Sequence, residues 1–263
     1  MTNSPLSPAA REAVYGLLAR LADNKNFLGR HYAEWCSGAP TLESAVAAAA
    51  MAQDELGHAR ALYPLLRTLD PTAGPEAEPE TRTQFARLSC LDTSFAAWED
   101  FVAANFLVDG ALTTIFEAAT ASSYEPLAGR SRKALQEEEM HALHGEAWVR
   151  RLAGEGGAVR PALDAALRRV WGEVLCWFGP PSAADPLSAA GVLDAPPDEL
   201  RARFLAKVAP TLEAAGLALP MRRLPSGKGW ETTEPLPWER WDATAYRLRA
   251  ESPAPAAKSH SEV

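Results

Sequence analysis

The chain has 263 residues, 47% of them hydrophobic, enough to bury a sizeable core as one large domain. A net charge of −8 with a pI near 5.3 argues against a nucleic-acid binder, and no basic tract suggests an anionic membrane. MTNSPLSPAA at the start lacks the basic and apolar regions of a secretory leader, and the most apolar stretch, around Ala45–Ala52, is too short and Ala-rich to span a bilayer.

Strand signals are scarce, whereas 3.6-residue periodicity runs almost end to end, which predicts an all-α protein. A first helix is expected from about Ser7 to Trp35, with Val14, Leu17, Leu18, Leu21 and Leu28 on its apolar face and a Gly/Pro break after it. A second starts at the N-cap Thr41 and runs to about Leu69, closed by Asp70-Pro71. The polar, Pro- and Glu-rich run Thr72–Thr81 reads as a connection. A third helix is expected over about Thr93–Ser122 and a fourth over about Pro126–Ala153, with Pro126 in its first turn and Gly154 at its end. Helices of about 27 to 30 residues are about 40 to 45 Å long, which suits an antiparallel bundle. Two more are expected over about Pro161–Phe178 and Pro197–Ala215. Pro220–Pro237 reads as irregular, Trp238–Arg249 as a short helix or an ordered arm, and Glu251–Val263 as a disordered tail. The reading is one helical domain over 1–250: a metal-binding bundle over about 7–154, then C-terminal helices and an arm over about 158–250.

Glu-x-x-His occurs twice inside these helices, as Glu55-Leu56-Gly57-His58 and as Glu138-Glu139-Met140-His141. Positions i and i+3 share a helix face, so each motif aims a carboxylate and an imidazole at one point. Such pairs on two helices are how ferritin-like four-helix bundles hold two iron or manganese ions. The helix between them carries Asp109 amid apolar residues, and a buried acid needs a partner such as a metal. Asp54 and Glu137, the acids before each motif, either support the metal ligands from behind or simply face water, with water the favoured reading. A site of carboxylates and two imidazoles favours iron, with manganese as the alternative, over zinc. His144, one turn beyond His141, reads as a polar neighbour or surface residue, and Glu117 as the best spare carboxylate. Trp98, Trp148, Trp171 and Trp177 read as core, and Arg222, Arg223 and Lys228 as a solvated basic loop.

Ala52-Gln53-Asp54-Glu55-Leu56-Gly57-His58, Leu107-Val108-Asp109-Gly110-Ala111, Glu137-Glu138-Glu139-Met140-His141 and Trp177-Phe178-Gly179-Pro180 carry a resemblance. They look like the catalytic subunit of the phenylacetyl-CoA epoxidase family, ferritin-like di-iron oxygenases of phenylacetate catabolism, and the likeness extends over about Leu21 to Arg249. Leu21-Ala22-Asp23-Asn24-Lys25 and Ala33-Glu34-Trp35-Cys36 look more like the structural subunit of that family, which shares the fold but has lost the metal motifs. The resemblance implies Glu55, His58, Asp109, Glu138 and His141 as metal ligands, with Glu55 and Glu138 able to bridge two ions. It also implies a sixth ligand, a Glu on the first helix. Counting back without gaps from Glu55, that position is Lys25.

Three carboxylates and one ammonium leave two negative charges, which balance a single divalent ion. The expectation is therefore one metal at Asp109, Glu138 and His141, with Lys25 paired to Glu55 beside a weak or empty second position; Lys25, Glu55 and Glu138 are the candidate catalytic residues. The alternative is that Lys25 reaches the surface on a shifted first helix.

The function expected is the oxygenase component of a multicomponent epoxidase or monooxygenase acting on a phenylacetyl-CoA-like acyl-CoA thioester. The chain has no iron–sulfur Cys spacing and no dinucleotide fingerprint, so electrons would come from a separate reductase. By resemblance it would pair with a related helical structural subunit, or with itself as a homodimer. Cys36, Cys90 and Cys176, odd in number and widely spaced, predict reduced thiols and a cytoplasmic protein. The competing readings are a non-catalytic structural subunit with a degenerate metal site and, on the same bundle, iron storage.

Overall fold

A computed structural model describes residues 6–70, 82–181 and 185–249. The expected connection Thr72–Thr81 and tail Glu251–Val263 lie outside the described residues. Helix α1 (Pro8–Glu34) is capped by the Ser7 side chain, and α2 (Leu42–Leu69) by the Thr41 hydroxyl, which accepts from the Ser44 N–H at 3.2 Å. Both ends fall where the cap and break residues predict them. Leu21 and Leu28 of α1 are fully buried, as are Val14 and Leu18.

The third helix is shorter than its periodicity suggests. Helix α3 (Trp98–Ala118) begins several residues after the expected start, because Asp100 turns back to accept from the Ala96 and Ala97 N–H groups, each at 3.2 Å. Its 21 residues span about 31 Å, so it is not one of four equal rods. Its middle, Ala104–Asp109, is π-helical, an insertion frequent at functional sites and invisible to a 3.6-residue pattern. This helix, and not Ala45–Ala52, is the one apolar and long enough to cross a membrane among the described residues, but 83% of its apolar window is buried in the bundle.

Helix α4 (Glu125–Gly154) follows, then α5 (Val159–Trp177), a single-turn α6 (Pro186–Ala189) with no sequence signal strong enough to predict it, and α7 (Pro197–Ala214). The stretch expected to be irregular holds an antiparallel hairpin, β1 (Met221–Arg223) with β2 (Trp230–Thr232). Three-residue strands are too short for alternation to register in a sequence. Trp238–Arg249 is an ordered arm: a 3₁₀ turn at Trp238–Arg240, then β3 (Trp241–Asp242) paired with β4 (Arg247–Leu248).

Helices α1 to α4 form a ferritin-like bundle. Pairs of touching residues set the directions: Arg11 donates to the Leu69 carbonyl while Lys25 meets Glu55, so α1 and α2 are antiparallel. Asp54 with His141 and His58 with Glu137 make α2 and α4 antiparallel, and the long connection from α2 to α3 leaves those two parallel. Two glycines permit the close approaches. A Cβ on Gly29 would lie 2.8 Å from Leu56 Cγ, and one on Gly145 would lie 3.0 Å from Asn105 Oδ1 and 3.2 Å from Phe106 Cα. Gly145 thus lets α4 settle against the π-helical segment. Trp98 stacks on Phe101 with centroids 4.3 Å apart and meets Trp148 edge-on, and all four tryptophans assigned to the core are buried there.

Candidate metal centre

On α1, Leu18, Leu21, Lys25, Leu28 and Tyr32 share one face at helical spacing, and all five are fully buried. Lys25 is the one charge in that stripe. Its Nζ lies 2.9 Å from Glu55 Oε1 and 2.5 Å from Asp109 Oδ1, and it also bonds Glu138 Oε1. The expected pairing with Glu55 is present, and α1 runs centrally enough for the ammonium to reach Asp109 and Glu138 as well. The surface alternative for Lys25 does not describe this molecule, because its side chain has no solvent exposure.

Both imidazoles reach the same carboxylate. His58 Nδ1 lies 3.2 Å from Glu138 Oε1, and His141 Nδ1 lies 3.7 Å from Glu138 Oε2. His141 Nδ1 is also 3.1 Å from both Glu55 Oε1 and Asp109 Oδ2. Asp54 and Glu137 are not simply solvated. Glu137 Oε2 sits 2.7 Å from His58 Nε2, and Asp54 Oδ2 sits 3.3 Å from His141 Nε2. Each acid turns inward because the facing helix offers a buried ring nitrogen, which periodicity cannot reveal.

Burial alone would drive these charges out, so their mutual pairing decides. Burial pulls the Lys25 pKa down, but Asp109, Glu138 and Glu55 outweigh it and hold the pKa well above its ordinary value. Burial pushes the Asp109 carboxyl up, yet Lys25 and His141 keep it well below the usual carboxylate range. Glu55 is pushed up to about 7, by burial first and then by the Asp109 charge. For His141, burial opposes the charge, but bonds to Asp109 and Glu55 lift it to about 11.

Two side chains at this centre escaped the sequence reading. Thr113, one turn after Asp109, donates to Glu138 Oε2 at 2.8 Å, and the buried Tyr32 phenol is pushed up by burial and by the same three carboxylates. The spacings i+4 from Asp109 and i+7 from Lys25 are the signals that could have found them. Glu117 is not a spare ligand: it pairs with Lys207 on α7, and both are about 40% exposed (44% and 40%). His144 bonds Asn105 Oδ1 at 2.9 Å amid Trp98, Phe101 and Trp148. Arg222 and Arg223 are neutralised by Glu231 and Glu213 on and beside the hairpin.

The donor set tests what ion the cage accepts. One donor atom from each of Glu55, Asp109, Glu138 and His141 lies within 4.8 Å of the others, all four residues are buried, and Glu55 Oε2 has no hydrogen-bond partner. This group can hold a metal ion. A pair of dications does not fit beside the ammonium, which already occupies the point where the three carboxylates converge. A single ion fits the donors, and it fits the charge once His141 gives up its proton to bind it. From this side the cage opens to a cavity of about 490 Å³ lined by Phe106, Leu135, Leu143, Phe204 and Val208, with Glu117 and Lys207 at its exposed rim.

Fold and cage together define a ferritin-like helical bundle with a buried carboxylate–histidine centre. The chain belongs to the phenylacetic acid catabolic protein family, whose model matches residues 2–233. It is 30% identical over 190 residues to one component chain of the 1,2-phenylacetyl-CoA epoxidase of Escherichia coli (strain K12), covering 71% of this chain and 62% of that protein. It is 27% identical over 206 residues to a second, different chain of the same epoxidase, covering 78% of this chain and 83% of that protein. The chain thus spans less than two thirds of the length of the first of these relatives, and its sequence is similar to both.

Proposed function

We propose that this chain is the oxygenase component of a multicomponent epoxidase or monooxygenase acting on a phenylacetyl-CoA-like acyl thioester, with one iron ion in its cage. The observation that carries this reading is the apolar cavity ending on Asp109, Glu138 and His141, a concave wall of hydrophobic side chains with a few convergent polar groups. Asp109, Glu138 and His141 would hold the ion, with Glu55 completing the donor set and His58 supporting Glu138 from the far side. Manganese suits the same oxygen donors. When bound, the ion would supply the redox chemistry that activates dioxygen. Phe106, Phe204 and Val208 exclude water and orient a flat acyl group, and the π-helical turn aims Asp109 at the cage. Lys25 takes the place of a second cation and holds the three carboxylates together. Both relatives are named as subunits of one epoxidase, which supports assembly with a related helical chain, and the lack of a cluster or dinucleotide motif supports a separate reductase.

One observation favours a second reading, a structural role within such a complex. Lys25 bonds all three carboxylates and offsets part of their charge without any metal. Anaerobic reconstitution with ferrous ion separates the two. About one iron per chain, rising to about two in Lys25→Glu, supports the oxygenase reading. A wild-type chain that retains no iron under those conditions rejects it in favour of the structural role.

A further inference from the structure

A second cavity, of about 350 Å³, lies on the opposite flank of the cage, in the groove between α2 and α4. Arg60 of α2 and Arg130 and Lys133 of α4 line it, with His58 and Phe116 among the residues at its inner end. On α4, positions 130, 133, 134 and 137 share one face, and on α2 positions 53, 57, 60 and 61 meet them, so the antiparallel pairing brings the three cations to one groove.

These cations are uncommitted. Arg60 uses only its Nε, on the Leu56 carbonyl of its own helix at 3.1 Å. Arg130 and Lys133 make no ion pair or hydrogen bond among the described residues. Their neighbour Arg132, outside the cavity, is paired with Glu125 at 2.7 Å, and Arg203 holds both Asp194 and Glu199. In a chain with net charge −8, three unpaired cations in one cavity need a reason. The cavity also contains Asp54 and Glu137, but both carboxylates are turned inward onto His141 and His58.

The geometry points to an anion site: Arg60, Arg130 and Lys133 bind a phosphate-type oxyanion in this groove, a site separate from the apolar cavity on the other side. Guanidinium forks match phosphate oxygens in pairs, and the lysine adds a point charge. The volume lies within the range of small-ligand sites. Two sources share this chemistry, free phosphate and the phosphates of a nucleotide-bearing coenzyme.

Calorimetric titration of the full chain with inorganic phosphate, and separately with adenosine 3′,5′-bisphosphate, tests this. Saturable binding with a dissociation constant of about 1 mM or tighter is expected for at least one of them. The double variant Arg130→Gln/Lys133→Gln weakens it at least about tenfold, whereas Arg132→Gln leaves it unchanged. All three positions are exposed on a helix, so the fold survives, and circular dichroism verifies it. Tighter binding of the bisphosphate assigns the site to a nucleotide; equal affinities assign it to free phosphate. No saturable binding of either, or binding undiminished in the double variant, overturns the site.

Discussion

Glu137 precedes the second Glu-x-x-His motif, yet it holds the histidine of the first, its Oε2 lying 2.7 Å from His58 Nε2. The exchange is reciprocal, because Asp54, preceding the first motif, lies 3.3 Å from His141 Nε2 in the second. Antiparallel packing of α2 on α4 produces it: moving one residue back along either helix moves toward the motif of the other. The outer nitrogen of each ring is fixed, which leaves Nδ1 facing the cage.

Asp54→Ala removes the anchor of His141, the imidazole proposed to hold the ion, without altering any side chain that faces the cage directly. Metal affinity should fall about 10- to 100-fold, with the helical content unchanged. Competition with a chromophoric chelator measures it, and an undiminished affinity would show that His141 needs no support.

Lys25→Met leaves three buried carboxylates without their shared cation. The metal-free variant should lose about 3 to 5 kcal/mol of stability at neutral pH, because an uncompensated buried charge is costly. Urea unfolding gives the loss, and a divalent ion added to the variant should restore part of it. Equal midpoints for the variant and wild type would contradict the bonding described for the cage.

His144 sets a pH dependence. Burial among aromatic rings, and then the neighbouring His141 charge, lower its pKa to about 4. A histidine whose folded pKa is depressed adds stability above about pH 6.5, and that contribution is lost as pH falls toward 4. Wild type should therefore lose about 2 to 3 kcal/mol more than His144→Leu between pH 7 and pH 4. Denaturant midpoints across that window check the slope, and parallel curves for the two proteins would refute it.

The three thiols should differ sharply in reactivity. Cys36 is exposed, whereas burial pushes the Cys176 thiol up to about 12 and the Cys90 thiol well above its ordinary value. Since the thiolate is the nucleophile, brief alkylation of the folded chain at pH 8 should modify Cys36 alone, as read by peptide mass spectrometry. Comparable labelling of Cys176 would mean that the α5 face is open.

Much of this molecule is legible one residue at a time. Periodicity gives the helices, Ser7, Thr41 and Gly154 give their ends, and two Glu-x-x-His motifs with Asp109 name four of the residues that converge. These are local signals, set by the 3.6-residue turn and by capping, so they survive without knowledge of the packing. What the ammonium of Lys25 touches, which acid serves which histidine, and the π-helical turn before Gly110 are decided only in three dimensions. Each depends on the depth and direction with which one helix approaches another. That distance is set by small residues such as Gly29 and Gly145, whose effect lies in the partner helix and leaves no periodic trace in their own.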